Sequence, residues 1–142
     1  MRNPKRRTTE KLTVFCPPDV LMLSPEDWKR WILLPAFENK WRALGLGDDD
    51  LRALQIMVML DPKRHAVMSG TGGLRKLRFA KKGAGMGKSG AYRVGYAYFE
   101  EFGVIAAIAV FAKKDQDNIN AGQRAEIRKL IAKLEKWVED GG

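Results

Sequence analysis

Apolar and polar residues follow helical spacing toward both ends of the chain and strand spacing in its middle. Ile127, Leu130, Ile131, Leu134, Trp137 and Val138 recur at i, i+3, i+4 and i+7. They form one face of a C-terminal helix capped by Asn118 or Asn120. Phe37, Trp41 and Leu44 share that spacing and are followed by Gly45 and Gly47, a helix with glycines at its end. The aromatics in this region are most simply core side chains. Leu51, Leu54 and Val58 form another stripe, opened by Asp48, Asp49 and Asp50 and closed by Asp61-Pro62. The three acids suit the positive end of a helix dipole better than a metal site, because neighbouring side chains on a helix point in different directions. A further helix start is read at Ser24-Pro25-Glu26-Asp27, with Trp28, Trp31 and Ile32 on one face and a break or restart at Pro35.

Between these helices lie three strand-like runs: Leu74 to Ala80, Ala91 to Phe99, and Val104 to Ala112. The last is apolar on both faces, as in a central strand, and the residues from Glu100 to Gly103 form a turn before it. Short connections make the three an antiparallel meander. Leu12 to Cys16 is a possible edge strand stopped by Pro17-Pro18. Read with period 2, Leu74, Lys76 and Arg78 point to one face of the first run, and Arg75, Leu77 and Phe79 to the other. Cations side by side on one sheet face repel unless an anion lies over them.

Charge sharpens that picture. The chain has 142 residues and a formal charge of +9. The stretch from Lys63 to Lys114 holds eleven Lys and Arg against two acids, Glu100 and Glu101, so the whole excess lies in the middle and the flanks are neutral. That distribution is the footprint of a polyanion partner, nucleic acid above all. Cys16 is the single cysteine and His65 the single histidine. An intrachain disulfide, a cysteine metal site and a paired-histidine nuclease are thereby excluded. No apolar run is long enough to span a membrane, and no apolar core follows the basic start, so the chain reads as cytoplasmic.

The segment from Gly83 to Ser89 (GAGMGKS) imitates a phosphate-binding P-loop. Counting back from Gly87-Lys88-Ser89, however, the position that needs the first glycine is Lys82, and a strand-like run follows where a helix should. The better reading is a connector whose Lys81, Lys82 and Lys88 reach a phosphate backbone. If the polyanion is RNA, the carboxylate or histidine pairs that usually move protons are missing from this stretch. Arginines remain to clamp the phosphate and stabilise its developing charge. A lysine among cations could act as a base, and Tyr96 and Tyr98 could stack on bases or donate a proton. Such a site is slow on free RNA and gains if something else fixes the RNA in line.

The ordered motifs Gly70-Thr-Gly-Gly-Leu-Arg-Lys-Leu-Arg78, Gly87-Lys-Ser-Gly90, Tyr92-Arg-Val94 and Ala112-Lys113, with Trp41-Arg-Ala-Leu-Gly-Leu46 and Asp61-Pro62 upstream, resemble the RelE/HigB toxins of type II toxin–antitoxin modules, within the RelE/ParE superfamily. The HigB-like subgroup is the nearest. The resemblance covers about residues 36 to 138. It implies an α+β, RelE-like fold: an antiparallel sheet of three core strands plus a possible edge strand, with two N-terminal helices and a C-terminal helix. Residues 36–140 would be the toxin domain, and 1–35 an N-terminal extension of unassigned role.

The resemblance further implies an mRNA endoribonuclease that cuts in the ribosomal A site without metal or cofactor. Its partners would be the ribosome, mRNA and a HigA-like helix-turn-helix antitoxin. The catalytic positions would fall on Lys76, Arg78, Arg93 and Lys113, with Arg75, Lys81, Lys82, Lys88, Tyr96, Tyr98 and Lys114 touching RNA. This chain departs from the pattern at Gly95, where bulkier residues are usual, and at Phe111, where a tyrosine is common. The competing readings are a same-fold toxin that inhibits by binding alone, as ParE proteins inhibit DNA gyrase, and a plain basic nucleic-acid-binding module.

Overall fold

A computed structural model describes residues 28–81, 91–113 and 118–142. Strand β1 (Arg30–Leu33) leads into helix α1 (Pro35–Ala43) and helix α2 (Asp48–Leu60). Strands β2 (Leu74–Ala80), β3 (Ala91–Phe99) and β4 (Val104–Ala112) follow, then helix α3 (Ala121–Glu139). The sheet order is β1-β4-β3-β2. The three core strands are antiparallel, and β1 joins the edge parallel to β4. The α+β class, the meander and its three helices are therefore as the sequence implies.

The origin of the fourth strand corrects the reading of residues 28–33. The expected helix through Trp28, Trp31 and Ile32 is a strand over Arg30–Leu33. Trp31 and Ile32 are both buried, but in two different cores, one on each side of the sheet. Alternation onto two buried faces resembles a helical stripe over so short a run. Pro35 decides the outcome, because a residue before proline avoids the helical region. Leu34 is extended (φ −68°, ψ 143°), and Pro35 then opens α1. The helix start at Ser24 to Asp27 and the strand at Leu12 to Cys16 lie outside the described residues.

One core fills the space between the sheet and helices α1 and α2. Phe37 and Trp41 meet Leu54, Val58, Leu77, Phe79, Val94 and Tyr96 there. Phe37 and Trp41 stack with centroids 5.5 Å apart, and Trp41 lies 5.6 Å from Phe79, so these aromatics are core residues as read. The turn after α1 is a Schellman motif: Gly45 (φ 83°) donates to Arg42 C=O and Leu46 to Trp41 C=O, with Leu46 buried. Asp50 accepts the Gly47 N–H at 2.8 Å and so caps α2, while Asp49 pairs with Arg52. Among the described residues no group of three or more His, Cys, Asp or Glu could hold a metal ion.

A second core, on the other face, joins Leu74, Ala97, Val104 and Ala106 to Ile131 and Val138 of α3. The turn before β2 fixes how α3 meets it. Thr71, fully buried, donates from Oγ1 to Met68 C=O (2.6 Å) and accepts from Leu74 N–H (3.0 Å). Gly72 has φ 77°, and a Cβ there would sit 3.2 Å from Arg128 Cγ. Left-handed backbone and close helix approach both call for glycine.

Gly95 has a related cause. A Cβ there would lie 3.0–3.2 Å from three carbons of Leu74. The leucine thus occupies the space of the bulkier residue expected at this position. Gly95→Val should lower stability by about 1–3 kcal/mol through overpacking, measured by urea unfolding. Combined with Leu74→Ala, it should cost less than the two separate losses added together.

Candidate nucleic-acid interface

The register of β2 and β3 builds the site. Arg78 lies directly opposite Arg93, and Lys76 opposite Gly95. Arg93 in turn lies opposite Phe111 of β4, and Gly95 opposite Ala109. The pairing shifts by one residue between Gly95 and Tyr96, because Ile108 is an extra residue in β4. A bulge reverses which face the following residues take. It puts Phe111 beside Arg93 and sends Val110 into the α1/α2 core. Lys113 donates its backbone N–H to Ala91 C=O at 3.2 Å and falls two residues after Phe111 on the same face.

Lys76, Arg78, Arg93 and Lys113, the four expected catalytic positions, are therefore brought to one side of the sheet. Arg78 is exposed and the other three are half-buried. Lys76 Nζ donates to Asn118 Oδ1 at 3.0 Å. Asn118 is a contributor that sequence reasoning passed over, weighing it only as a helix cap. Asn120 takes that role instead. Its Oδ1 accepts the Gln123 N–H at 2.8 Å, and Gln123 Oε1 accepts the Asn120 N–H at 3.0 Å. Of two asparagines two residues apart, only one can cap, so the other was available for a different bond.

The residues expected to touch RNA divide differently. Arg75, Tyr96 and Tyr98, read as RNA contacts, lie on the opposite face from Lys76, the face that period 2 gives Arg75. Arg75 Nη1 donates to His65 C=O (2.6 Å) and Lys63 C=O (3.2 Å), tying down the loop after α2. Tyr96 is buried in the α1/α2 core, and its hydroxyl donates to Pro62 C=O at 2.7 Å. Burial pushes its pKa up to about 12, so it is neither a stacking platform nor a ready proton donor. Tyr98 packs at the margin of the same core, and burial first, then the Glu100 carboxylate, raises its pKa. Lys81 Nζ donates to Gly45 C=O at 2.9 Å. Lys82, Lys88 and Lys114 lie outside the described residues, as does the connector that imitates a P-loop.

His65, half-buried, packs edge-on against Tyr96, with centroids 6.2 Å apart. Burial, then Arg64, lowers its pKa, which favours the neutral ring, and Tyr96 places it on the opposite face of the sheet from Arg78.

No family model matches the chain. Among solved structures it is similar to the E. coli toxin RelE, a double arginine-to-alanine mutant in the free state. The identity is 19% and the TM-score 0.48, over 70% of this chain and 96% of that one. Identity this low assigns no residue a role. No helix among the described residues is long and apolar enough to cross a membrane.

Two measurements check these placements. Asn120→Ala should cost about 1 kcal/mol as a lost cap, whereas Asn118→Ala should stay within about 0.5 kcal/mol, both by thermal or urea unfolding. The Tyr96 pKa, raised from 10, favours the folded state while the phenol is protonated. That contribution is complete below pH 10 and disappears as pH rises through about 12. The stability of the wild type should therefore fall more steeply between pH 10 and 12 than that of Tyr96→Phe.

Proposed function

We propose that this chain is the toxin of a type II toxin–antitoxin module, a HigB-like mRNA endoribonuclease that cuts in the ribosomal A site. The observation that carries the proposal is the in-register pairing of Arg78 with Arg93, with Lys76 and Lys113 on the same face. Like charges directly opposite one another are destabilising. An arrangement that collects them suits a bound phosphate, which two arginines can clamp while its charge builds. The GTGGLRKLR and Tyr92-Arg-Val94 motifs support the same reading. The partners it entails are mRNA, the ribosome and a helix-turn-helix antitoxin, all in the cytoplasm.

In this mechanism the ribose 2′-oxygen attacks phosphorus, and the bond to the 5′-oxygen breaks. The products are a 2′,3′-cyclic phosphate and a 5′-hydroxyl end. Arg78 and Arg93 stabilise the crowded phosphate. Lys76, oriented by Asn118, takes the 2′-hydroxyl proton as the neutral amine and becomes the ammonium, and Lys113, as the ammonium, gives one to the leaving oxygen. A lysine is a poor match for both tasks at neutral pH. Alignment of the RNA therefore supplies much of the rate, and the ribosome provides it.

A cell-free translation reaction with one defined mRNA tests the proposal by mapping 5′ ends with and without ribosomes. Cuts should require ribosomes, and Arg93→Ala should lower their yield by roughly 100-fold or more. An intact message, or cuts unchanged in Arg93→Ala, would overturn it.

A further inference from the structure

Two rows cross the cationic face, and neither ends in charge. One runs Lys76, Gly95, Ala109 and the other Arg78, Arg93, Phe111. Ala109 and Phe111 floor a groove of about 580 Å³ beneath the start of α3. Its walls include Ile119 and Ile127, and its rim carries Asn120, Gln123 and Glu126. The rim offers both kinds of hydrogen-bonding group. Asn120 Oδ1 is committed to the helix cap, which leaves its amide NH₂ as a donor, and the Glu126 carboxylate is an acceptor.

We infer that this groove is a nucleobase subsite: a nucleotide whose phosphate lies on Arg78 and Arg93 places its base over Ala109 and Phe111, under the first turns of α3. The inference rests on RNA as the anion, as proposed above, and adds where its base goes. Neighbouring strands lie about 4.8 Å apart, so Phe111 is one strand from Arg93 and two from Arg78. That is the scale on which a nucleotide separates its phosphate from its own base. A flat apolar ring with a polar edge fits a floor of Ala and Phe with an amide and a carboxylate at the rim. An apolar helix from a protein partner would fill the floor but leave the adjoining arginines facing hydrocarbon. The subsite also gives Phe111 a reason to lack a hydroxyl, since it serves as apolar floor.

Gly122 provides a plug. It lines the groove, and a Cβ there would meet only Asn120 Oδ1, at 3.5 Å. Gly122→Leu therefore accepts its Cβ at ordinary contact distance, places its side chain in the groove and removes a glycine from a helix. Ala109→Leu fills it from the floor. The probe is a set of 2′-O-methyl hexanucleotides, which resist cleavage, each with one abasic position, read by fluorescence anisotropy at several salt concentrations.

In the wild type, one abasic position should weaken binding roughly 10-fold and the others much less. In Gly122→Leu and Ala109→Leu the intact strand should weaken by a similar factor and the abasic effect should vanish, with the salt slope unchanged. Equivalent abasic positions, the outcome if the groove takes a protein helix instead, would overturn the subsite. So would plugged variants that bind like the wild type. If binding shows a salt slope that falls in Arg78→Ala and no position stands out, the subsite fails and the RNA reading survives. A wild type that binds no strand at any salt overturns both.

Discussion

Arg78 lies directly opposite Arg93 across β2 and β3, and the fold has to accommodate that pairing of like charges. A directly opposed pair of like charges costs roughly 0.2–1 kcal/mol relative to a neutral pair. With folded proteins only about 5–15 kcal/mol more stable than their unfolded chains, the cost is tolerable but needs compensation. The compensation lies behind the arginines. Leu77, Phe79 and Val94 alternate with the cations and bury themselves against α1 and α2. The strands are held by their apolar face.

Three local features orient that charged face. The Thr71–Gly73 turn starts β2 close against α3, with Gly72 allowing the approach of Arg128. The extra residue at Ile108 turns Phe111 toward Arg93, so that the cationic rows run on into an apolar groove. Asn118, released from capping by Asn120, holds the Lys76 ammonium. Each is a small departure from regular structure, and the bulge and Asn118 fall beside the cations. That concentration is expected where function takes precedence over ideal geometry.

Much of this was legible in the sequence because one residue type marked each face. In LRKLRFA the charged and apolar positions separate cleanly at period 2, and the structure keeps that parity for Lys76, Arg78, Leu77 and Phe79. The same parity, carried from Arg93 through Gly95 and Ala97, would have put Tyr96 and Tyr98 on the far side. Their reading as RNA contacts rests on chemical type rather than on position. Elsewhere the signal was absent. Residues 30–33 bury both faces, so alternation could not distinguish strand from helix. VIAAIAVFA is apolar throughout, and no residue in it marks a bulge at Ile108. The partnership of Lys76 with Asn118 joins residues 42 positions apart, which no local pattern reveals.

The claim that Arg78 and Arg93 are held together for an anion, at a cost to the free protein, is tested most directly by the salt dependence of stability in Arg78→Met. Methionine keeps most of the apolar stem and removes the charge. Urea unfolding across a range of sodium chloride concentrations should show the variant more stable than the wild type at low salt, by up to about 1 kcal/mol. The difference should close as salt screens the pair. A variant less stable than the wild type at every salt concentration would show that Arg78 supports the fold, and would contradict the account.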